Sequence, residues 1–346
     1  MADSDHIDLQ ANQMQTRQLG KTDLALTRIG LGTWAMGGGD WKFGWGPQDE
    51  QQAVAAILRA VELGINWIDT AAVYGNGRSE ELVGQALQQM SGDKPIVATK
   101  FGRVIQDDGS ISAIIKRESV IAECEASLRR LNVEAIDLYQ MHWPEPDADI
   151  EEAWQTMCDL QAQGKVRHIG VSNHNVDQLK RLQPIHEVAS LQPPYSMIAP
   201  DVEEQILPYC GEQQIGVVCY SPMCKGLLTG RFDKARAEQL PESDHRSRDP
   251  KFTEPQLSIN LRLTDGLQKL AAAENRTVAE LAIAWILRRP EVTSAIVGAR
   301  SPEQIEGTAG AGDWHLTDDM IAQIEQLRSA RQAELDELGP VDSGRV

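Results

Sequence analysis

The sequence predicts an α/β fold, a (β/α)8 barrel of the TIM type with an N-terminal hairpin and extra C-terminal helices, and three observations carry that expectation. Apolar strand-like runs, eight of them, alternate with helical patterns along almost the whole chain. Three successive runs finish on a polar side chain: Ile65-Asn-Trp-Ile-Asp69 on a carboxylate, Pro95-Ile-Val-Ala-Thr-Lys100 on an ammonium, and Ala135-Ile-Asp-Leu-Tyr-Gln-Met-His142 on an imidazole. The competing doubly wound sheet lacks its signature. Gly30 and Gly32 are followed by Trp34 and Ala35, where a Gly-x-Gly-x-x-Gly turn needs its third glycine.

In chain order, residues 1–13 are polar and are expected to be a disordered extension, with Met14 a second plausible start, and a single barrel domain is expected over 14–330. Arg17 to Leu26 reads as a hairpin turning at Gly20-Lys21 and covering one end of the barrel. Arg28 to Trp34 is the first strand, followed by a Gly- and Trp-rich loop from Ala35 to Gly46. A helix at Asp49 to Glu62 leads to the strand ending at Asp69. Tyr74 follows in a Gly/Asn-rich loop, and a helix runs from Ser79 to Gln89. The strand ending at Lys100, a helix at Glu118 to Leu131 and the strand ending at His142 come next. Helix Ile150 to Gln163 stops at Gly164, as a glycine just past a helix end would make it. Strand Lys165 to Val171 leads to Ser172-Asn173, and helix Asp177 to Leu182 to strand His186 to Gln192. Helix Val202 to Cys210 feeds strand Ile215 to Tyr220. The polar insertion from Thr229 to Pro255 reads as a mobile loop. Helices at Ser258 to Ala273 and Val278 to Arg288 precede the eighth strand, Val292 to Val297. Helices near Pro302 to Ala309 and Thr317 to Ala330 close the fold, and 331–346 is expected to be a loose acidic tail.

Charge and cysteine usage narrow the class of function. The formal net charge of -18 argues against nucleic acid or an anionic membrane as partner, since both reward Lys and Arg. Five cysteines, Cys124, Cys158, Cys210, Cys219 and Cys224, have no paired framework or metal-binding spacing, which favours a reducing compartment. The polar N-terminus has no signal-peptide core, and no apolar run approaches the roughly 20 residues of a membrane span. A cytoplasmic location follows as the expectation, with monomer and homo-oligomer both open. No metal site is expected, because His142 and Asp69 have no further His or carboxylate at neighbouring strand ends.

All strands of a parallel barrel point the same way, so Asp69, Lys100 and His142 should share one mouth, with Tyr74 on the loop above. Singly, each is more often a solvated or structural residue; their recurrence at equivalent places is what points to chemistry. An unperturbed phenol has a pKa of about 10, poor for protonating a carbonyl, and a nearby ammonium should lower it. Lys100 is expected to act on Tyr74 in this way, held charged by Asp69. His142 would donate to the same carbonyl oxygen. None of the four can supply a hydride, so a cofactor is required.

The pattern Asp69-Thr-Ala-x-x-Tyr74-Gly with Ser79-Glu80, then Lys100, then Leu138-Tyr-Gln-x-His142, resembles the aldo-keto reductase superfamily from Arg17 to about Gln326. It is most similar to the bacterial branch of inositol-operon and general-stress reductases. The resemblance implies an NADPH-dependent reduction of an aldehyde or ketone, with Asp69, Tyr74, Lys100 and His142 as the catalytic tetrad and Tyr74 as general acid. It also implies a cofactor site. Thr33, Trp34 and Asp69 would border it, Ser172, Asn173 and Gln192 would hold the nicotinamide carboxamide, and Tyr220 would stack on the ring. Ser221, Pro222, Met223, Lys225, Gly226 and Leu227, with Arg231 beyond, would follow the pyrophosphate. Gly298, Ala299, Arg300 and Gln304 would surround the 2′-phosphate, with Arg300 favouring NADPH over NADH. Gly307-Thr308 stands where the family often places Asn or Glu-Asn against the adenine, which weakens that preference.

Trp34, Trp41, Trp45 and Trp143 fall in loops at the same mouth, where they either wall a substrate pocket or pack as lid and core. With Lys42 the one basic residue read in these loops, a small aldehyde, a sugar-like aldose or a ketone is expected rather than a highly anionic substrate. The alternative reading is a nicotinamide-sensing subunit with slow turnover, as potassium-channel β subunits resemble.

Overall fold

The computed structural model describes residues 14–39 and 41–339. The expected N-terminal extension lies outside them. The chain opens with a hairpin of β1 (Thr16–Gln18) and β2 (Ala25–Thr27). The barrel then runs through β3 (Ile29–Gly32), α1 (Glu50–Glu62), β4 (Trp67–Asp69), α2 (Arg78–Gln89) and β5 (Ile96–Phe101). A second hairpin, β6 (Arg103–Ile105) and β7 (Ile111–Ala113), precedes α3 (Arg117–Leu131), β8 (Ile136–Met141) and α4 (Ile150–Ala162). There follow β9 (Val166–Ser172), α5 (Val176–Leu182), β10 (Ser190–Gln192), α6 (Ile206–Gln213) and β11 (Gly216–Cys219). The C-terminal third holds α7 (Lys234–Glu238), α8 (Gln256–Ala273), α9 (Val278–Leu287), β12 (Val292–Gly298), α10 (Pro302–Ala309) and α11 (Asp318–Glu337).

Strands β3, β4, β5, β8, β9, β10, β11 and β12 pair in parallel, in that order, and close into an eight-stranded barrel. Helix starts follow local capping chemistry: the Asp49 carboxylate accepts from Gln52 N at α1, and α5 and α9 begin with capping boxes at Asn175 and Thr277. The barrel interior near its base is filled by Trp67, Ala98, Leu138, Val218 and Ile296, and the hairpin adds Leu19 and Leu26 to the same cluster. Gly30 makes room for this packing. A Cβ there would lie 2.0 Å from the Trp67 ring, so the glycine pair of β3 serves barrel filling. The Trp67 indole is fixed by donating to Ser294 Oγ at 3.0 Å.

Five points depart from expectation. The strand before Gln192 begins at Ser190 rather than His186, and the helix expected from Val202 begins at Ile206 after a 3-10 turn at Asp201–Glu203. The hairpin β6–β7 was not anticipated. The second half of the insertion expected as a mobile loop is pinned: Asp244, His245, Arg246, Asp249 and Phe252 are buried, and Trp45 forms a β-bridge with Asp244, while 233–243 run along the surface. The last helix runs past Ala330 to Glu337 because Arg331 is buried and donates from Nε to Asn260 Oδ1 of α8 at 2.6 Å. Residues 340–346 of the expected tail lie outside the described part. No helix among the described residues is long and apolar enough to cross a membrane.

Candidate active site

The C-terminal ends of the barrel strands deliver most of the candidate residues to one mouth. Asp69 ends β4, Lys100 is next to last in β5, His142 follows β8, Ser172 ends β9, Gln192 ends β10 and Tyr220 follows β11. Tyr74 is carried there by the loop after β4, which passes so close to the turn at Trp34–Gly37 that a Cβ on Gly75 would meet Gly37 O at 2.1 Å. Gly75 also has φ +60°, a left-handed conformation that glycine takes without penalty. Ser79 Oγ donates to Thr33 O at 2.9 Å and ties α2 to the end of β3.

At the centre, Lys100 Nζ donates to Asp69 Oδ2 at 2.6 Å, to Thr70 O at 2.9 Å and to Tyr74 Oη at 3.3 Å. The remaining carboxylate oxygen, Asp69 Oδ1, accepts from Gln192 Nε2 at 2.8 Å. His142 stands edge-on to the phenol ring, with centroids 5.8 Å apart at 80°. Trp34 and Trp41 take two further sides of that ring, at 6.4 and 6.2 Å. Structure therefore brings Asp69, Tyr74, Lys100 and His142 into one cluster.

The electrostatics differ from expectation in one respect. Burial holds the Tyr74 phenol well above its ordinary pKa, and the charge of Asp69 pushes the same way. The ammonium does not reverse this, because its charge is compensated by Asp69 at 2.6 Å and the phenol meets a nearly neutral pair. Lys100 itself is pressed below the ordinary lysine value by burial, against the opposing pull of Asp69 and Glu80. Burial, then the charges of Lys100 and Arg103, keep His142 far below the usual imidazole value. Thus a protonated phenol and a neutral imidazole face the same opening.

The other predicted residues divide by what they touch. Asn173, at φ +62°, donates from Nδ2 to His142 O at 2.9 Å and to Ser172 Oγ at 3.0 Å, and accepts from Tyr220 Oη at 2.8 Å. These bonds lock Ser172, Asn173 and Tyr220 into one patch beside the tetrad. Thr33 Oγ1 donates to Asp69 O at 3.2 Å, and Trp34 Nε1 to Phe43 O at 3.1 Å. After Tyr220, the chain turns through Ser221, Pro222, Met223 and Cys224 into Lys225, Gly226 and Leu227, with positive φ at Ser221, Cys224, Lys225 and Gly226. Lys225 pairs with the buried Asp249 at 3.0 Å. Arg231 is exposed and makes no side-chain bond to any of these groups among the described residues.

After Gly298 and Ala299, Arg300 donates Nε to Gln48 Oε1 at 2.6 Å, Nη1 to Trp45 O at 3.1 Å and Nη2 to Pro47 O. All three acceptors are neutral, and no salt bridge among the described residues involves this guanidinium. Gln304 Oε1 accepts from Arg300 N at 2.8 Å, so its side chain closes the turn into α10. Thr308 is buried and spends its hydroxyl on Gln304 O and Ile305 O.

Sequence reasoning missed two parts of this mouth. His245, read as part of a mobile loop, is buried, stacks on Trp34 at 5.0 Å and donates Nδ1 to Gly44 O at 3.1 Å. Its neighbour Arg246 sits 4.7 Å over the Trp45 ring, so Trp45 packs as lid while Trp34 and Trp41 flank Tyr74. Arg103, on the unanticipated hairpin, stands 5.4 Å over Trp143. The polar run around His245 carried no apolar period that could have marked its burial.

The chain matches the aldo/keto reductase family over residues 28–329. It is 37% identical over 316 residues to aldo-keto reductase YhdN of Bacillus subtilis (strain 168), covering 91% of this chain and 93% of that protein. To the NADH-specific methylglyoxal reductase of Escherichia coli (strain K12) it is 35% identical over 330 residues, covering 92% and 99%. The solved structure of the glycerol dehydrogenase AKR11B4 from Gluconobacter oxydans superposes with a TM-score of 0.83 at 36% identity, covering 96% of this chain and 99% of that one.

Proposed function

The chain belongs to the aldo/keto reductase family, and from that premise we propose that it reduces an aldehyde or ketone to the alcohol with NADPH as reductant, Tyr74 giving the proton. The observation that carries this reading is the chain of contacts Gln192–Asp69–Lys100–Tyr74, closed by His142. When bound, reduced nicotinamide supplies the hydride that no side chain here can give. Tyr74, protonated and buried, then donates to the oxygen on which charge develops. His142, held neutral, orients that oxygen without competing for the proton. Lys100 stabilises negative charge as it forms on the phenol, and Asp69 keeps the ammonium charged in a buried setting.

The residues present fit a nicotinamide dinucleotide. Gln192 Oε1 has no donor among the described residues, leaving an acceptor for a carboxamide N–H, while Ser172 and Asn173 are fixed beside it. The run from Cys224 to Gly226 has positive φ throughout and is held as a tight turn by Cys224 N donating to Ser221 O at 2.9 Å and Gly226 N to Met223 O at 3.1 Å, a fixed wall along which a pyrophosphate would run. Arg300 is a cation bonded only to neutral oxygens, and a 2′-phosphate is the charged acceptor it lacks. That favours NADPH in this chain, although the relative from Escherichia coli is named for NADH.

Mixing the protein with NADPH and a panel of aldehydes and following the loss of near-ultraviolet absorbance tests the reading directly; no turnover with any of them would overturn it. Arg300→Ala is expected to weaken NADPH by about ten-fold or more, equivalent to about 1.4 kcal/mol, while moving NADH much less. Titration of both dinucleotides by fluorescence checks this. Equal losses would place Arg300 away from the phosphate.

A further inference from the structure

Arg103 opens β6 three residues beyond Lys100, and the hairpin it starts forms one side of the mouth: Ile105 and Ile111 pack against the cluster of Ala71, Val73 and Tyr74. Its guanidinium lies over Trp143, whose chain neighbour is His142, and its charge is one of those that keep the His142 ring neutral. Of its nitrogens, only Nη2 has a side-chain partner among the described residues, Glu145 Oε2 at 2.6 Å. The two halves of that pair are unequally placed. The Arg103 side chain is 18% exposed and the Glu145 side chain 56%. A sheltered arginine paired with a mostly solvated glutamate is a weak, exchangeable bond, because the glutamate can return to water at little cost.

Of the other cations of the mouth, Lys100 is neutralised by Asp69, Lys225 by Asp249 and Arg246 by Asp244; Arg300 bonds neutral oxygens and is assigned above to the cofactor phosphate, and the exposed Lys42 lies over the Phe43 ring. The remaining walls, Trp34, Trp41, Ile105 and Ile111, are apolar. In a chain of formal net charge -18, anions are repelled at long range, so an anion reaching Tyr74 requires a dedicated cation beside it. Arg103 is that cation, and the Glu145 carboxylate marks where anionic oxygens sit on its fork.

We propose that Arg103 selects the substrate, and that the favoured substrates are small carbonyl compounds carrying a second, anionic group, a carboxylate or a phosphate, which displaces Glu145. This rests on the carbonyl-reductase reading above and names its substrate class. It departs from the expectation, drawn from the loop sequences, of a small aldehyde, a sugar-like aldose or a ketone rather than a highly anionic substrate.

The test compares kcat/KM for matched pairs: succinic semialdehyde against butanal for the carboxylate, and glyceraldehyde 3-phosphate against glyceraldehyde for the phosphate. At least one anionic member is expected to exceed its neutral match by about ten-fold or more, chiefly through KM, and the ratio to shrink as salt is raised. The pair showing the larger ratio identifies the anion. Arg103→Met should bring that ratio to about one, and Glu145→Gln, which removes the resident competitor and leaves the arginine in place, should increase it. Ratios at or below unity for both wild-type pairs would overturn the proposal, as would a variant that slows anionic and neutral substrates alike. Should Arg103→Met fail to fold, the salt dependence and Glu145→Gln decide on their own: an unchanged ratio in Glu145→Gln counts against the proposal. Turnover of the neutral aldehydes without any anionic preference sinks this inference alone, whereas no turnover of any aldehyde sinks the reductase reading and this inference with it.

Discussion

Tyr74→Phe is expected to lower turnover of a test aldehyde by about 10²–10⁴-fold, the range that loss of a general acid produces, with NADPH binding within about two-fold of wild type. The substitution removes one oxygen from a ring whose packing against Trp34, Trp41 and His142 is otherwise retained. Cofactor affinity measured by fluorescence titration and turnover measured by absorbance separate the two effects; unchanged turnover would eliminate the phenol as proton donor. The pH profile carries further information. Because the Tyr74 pKa is raised, the donor form persists through neutral pH and is lost only as pH climbs past the ordinary phenol value of about 10. His142, with its pKa depressed, is already neutral near pH 6.5, so kcat/KM should show no break there. A break near pH 6.5 that vanishes in His142→Gln would show that the imidazole is protonated in the working site.

Asp69→Asn is expected to be the most damaging change to the fold that a single atom type can make here. It removes the negative partner of Lys100, which is 1% exposed and whose other bonded partners among the described residues are Thr70 O and Tyr74 Oη. Breaking one half of a buried ion pair costs about 3–5 kcal/mol, whether the ammonium stays charged and unpaired or gives up its proton. Urea unfolding of the two proteins under identical conditions checks this, and a loss below about 1 kcal/mol would show that the pair is solvated. Turnover should fall as well. The loss should not be restored at high pH, where neutral lysine relieves the buried charge but stabilises no phenolate.

Much of this site was legible in the linear sequence because a parallel barrel converts position along a strand into position in space. Asp69 and Lys100 lie at or next to the last residue of a strand, so ordering the strands was enough to collect them; Ser172 and Gln192 also end strands, but were named only through the family resemblance. Tyr74 and His142 lie in the loops just beyond. What escaped detection depends on pairings that have no period. The Asp244–Arg246 stretch is polar in sequence, yet Arg246 and Asp244 satisfy one another and His245 finds Gly44 O, so the segment can be buried. Strands β6 and β7 are three residues each, too short for an alternation to register. The direction of the Tyr74 pKa escaped for a different reason. It depends on how completely Asp69 cancels Lys100, a matter of distance and burial that spacing in sequence does not encode.

The hairpin at the base of the barrel sets a limit on traffic. Gly20 presses against Gly216 N, Ala189 O and Gln214 O so tightly that a methyl group would come within 2.8 Å of each, and Leu19 and Leu26 are buried behind it. With the base covered and the interior filled by Trp67 and its neighbours, the approach to Tyr74 among the described residues is from the mouth. Under the reductase reading proposed above, cofactor and product would then leave by the same side as they came, and the rate of leaving, rather than the transfer of a proton, can set the pace.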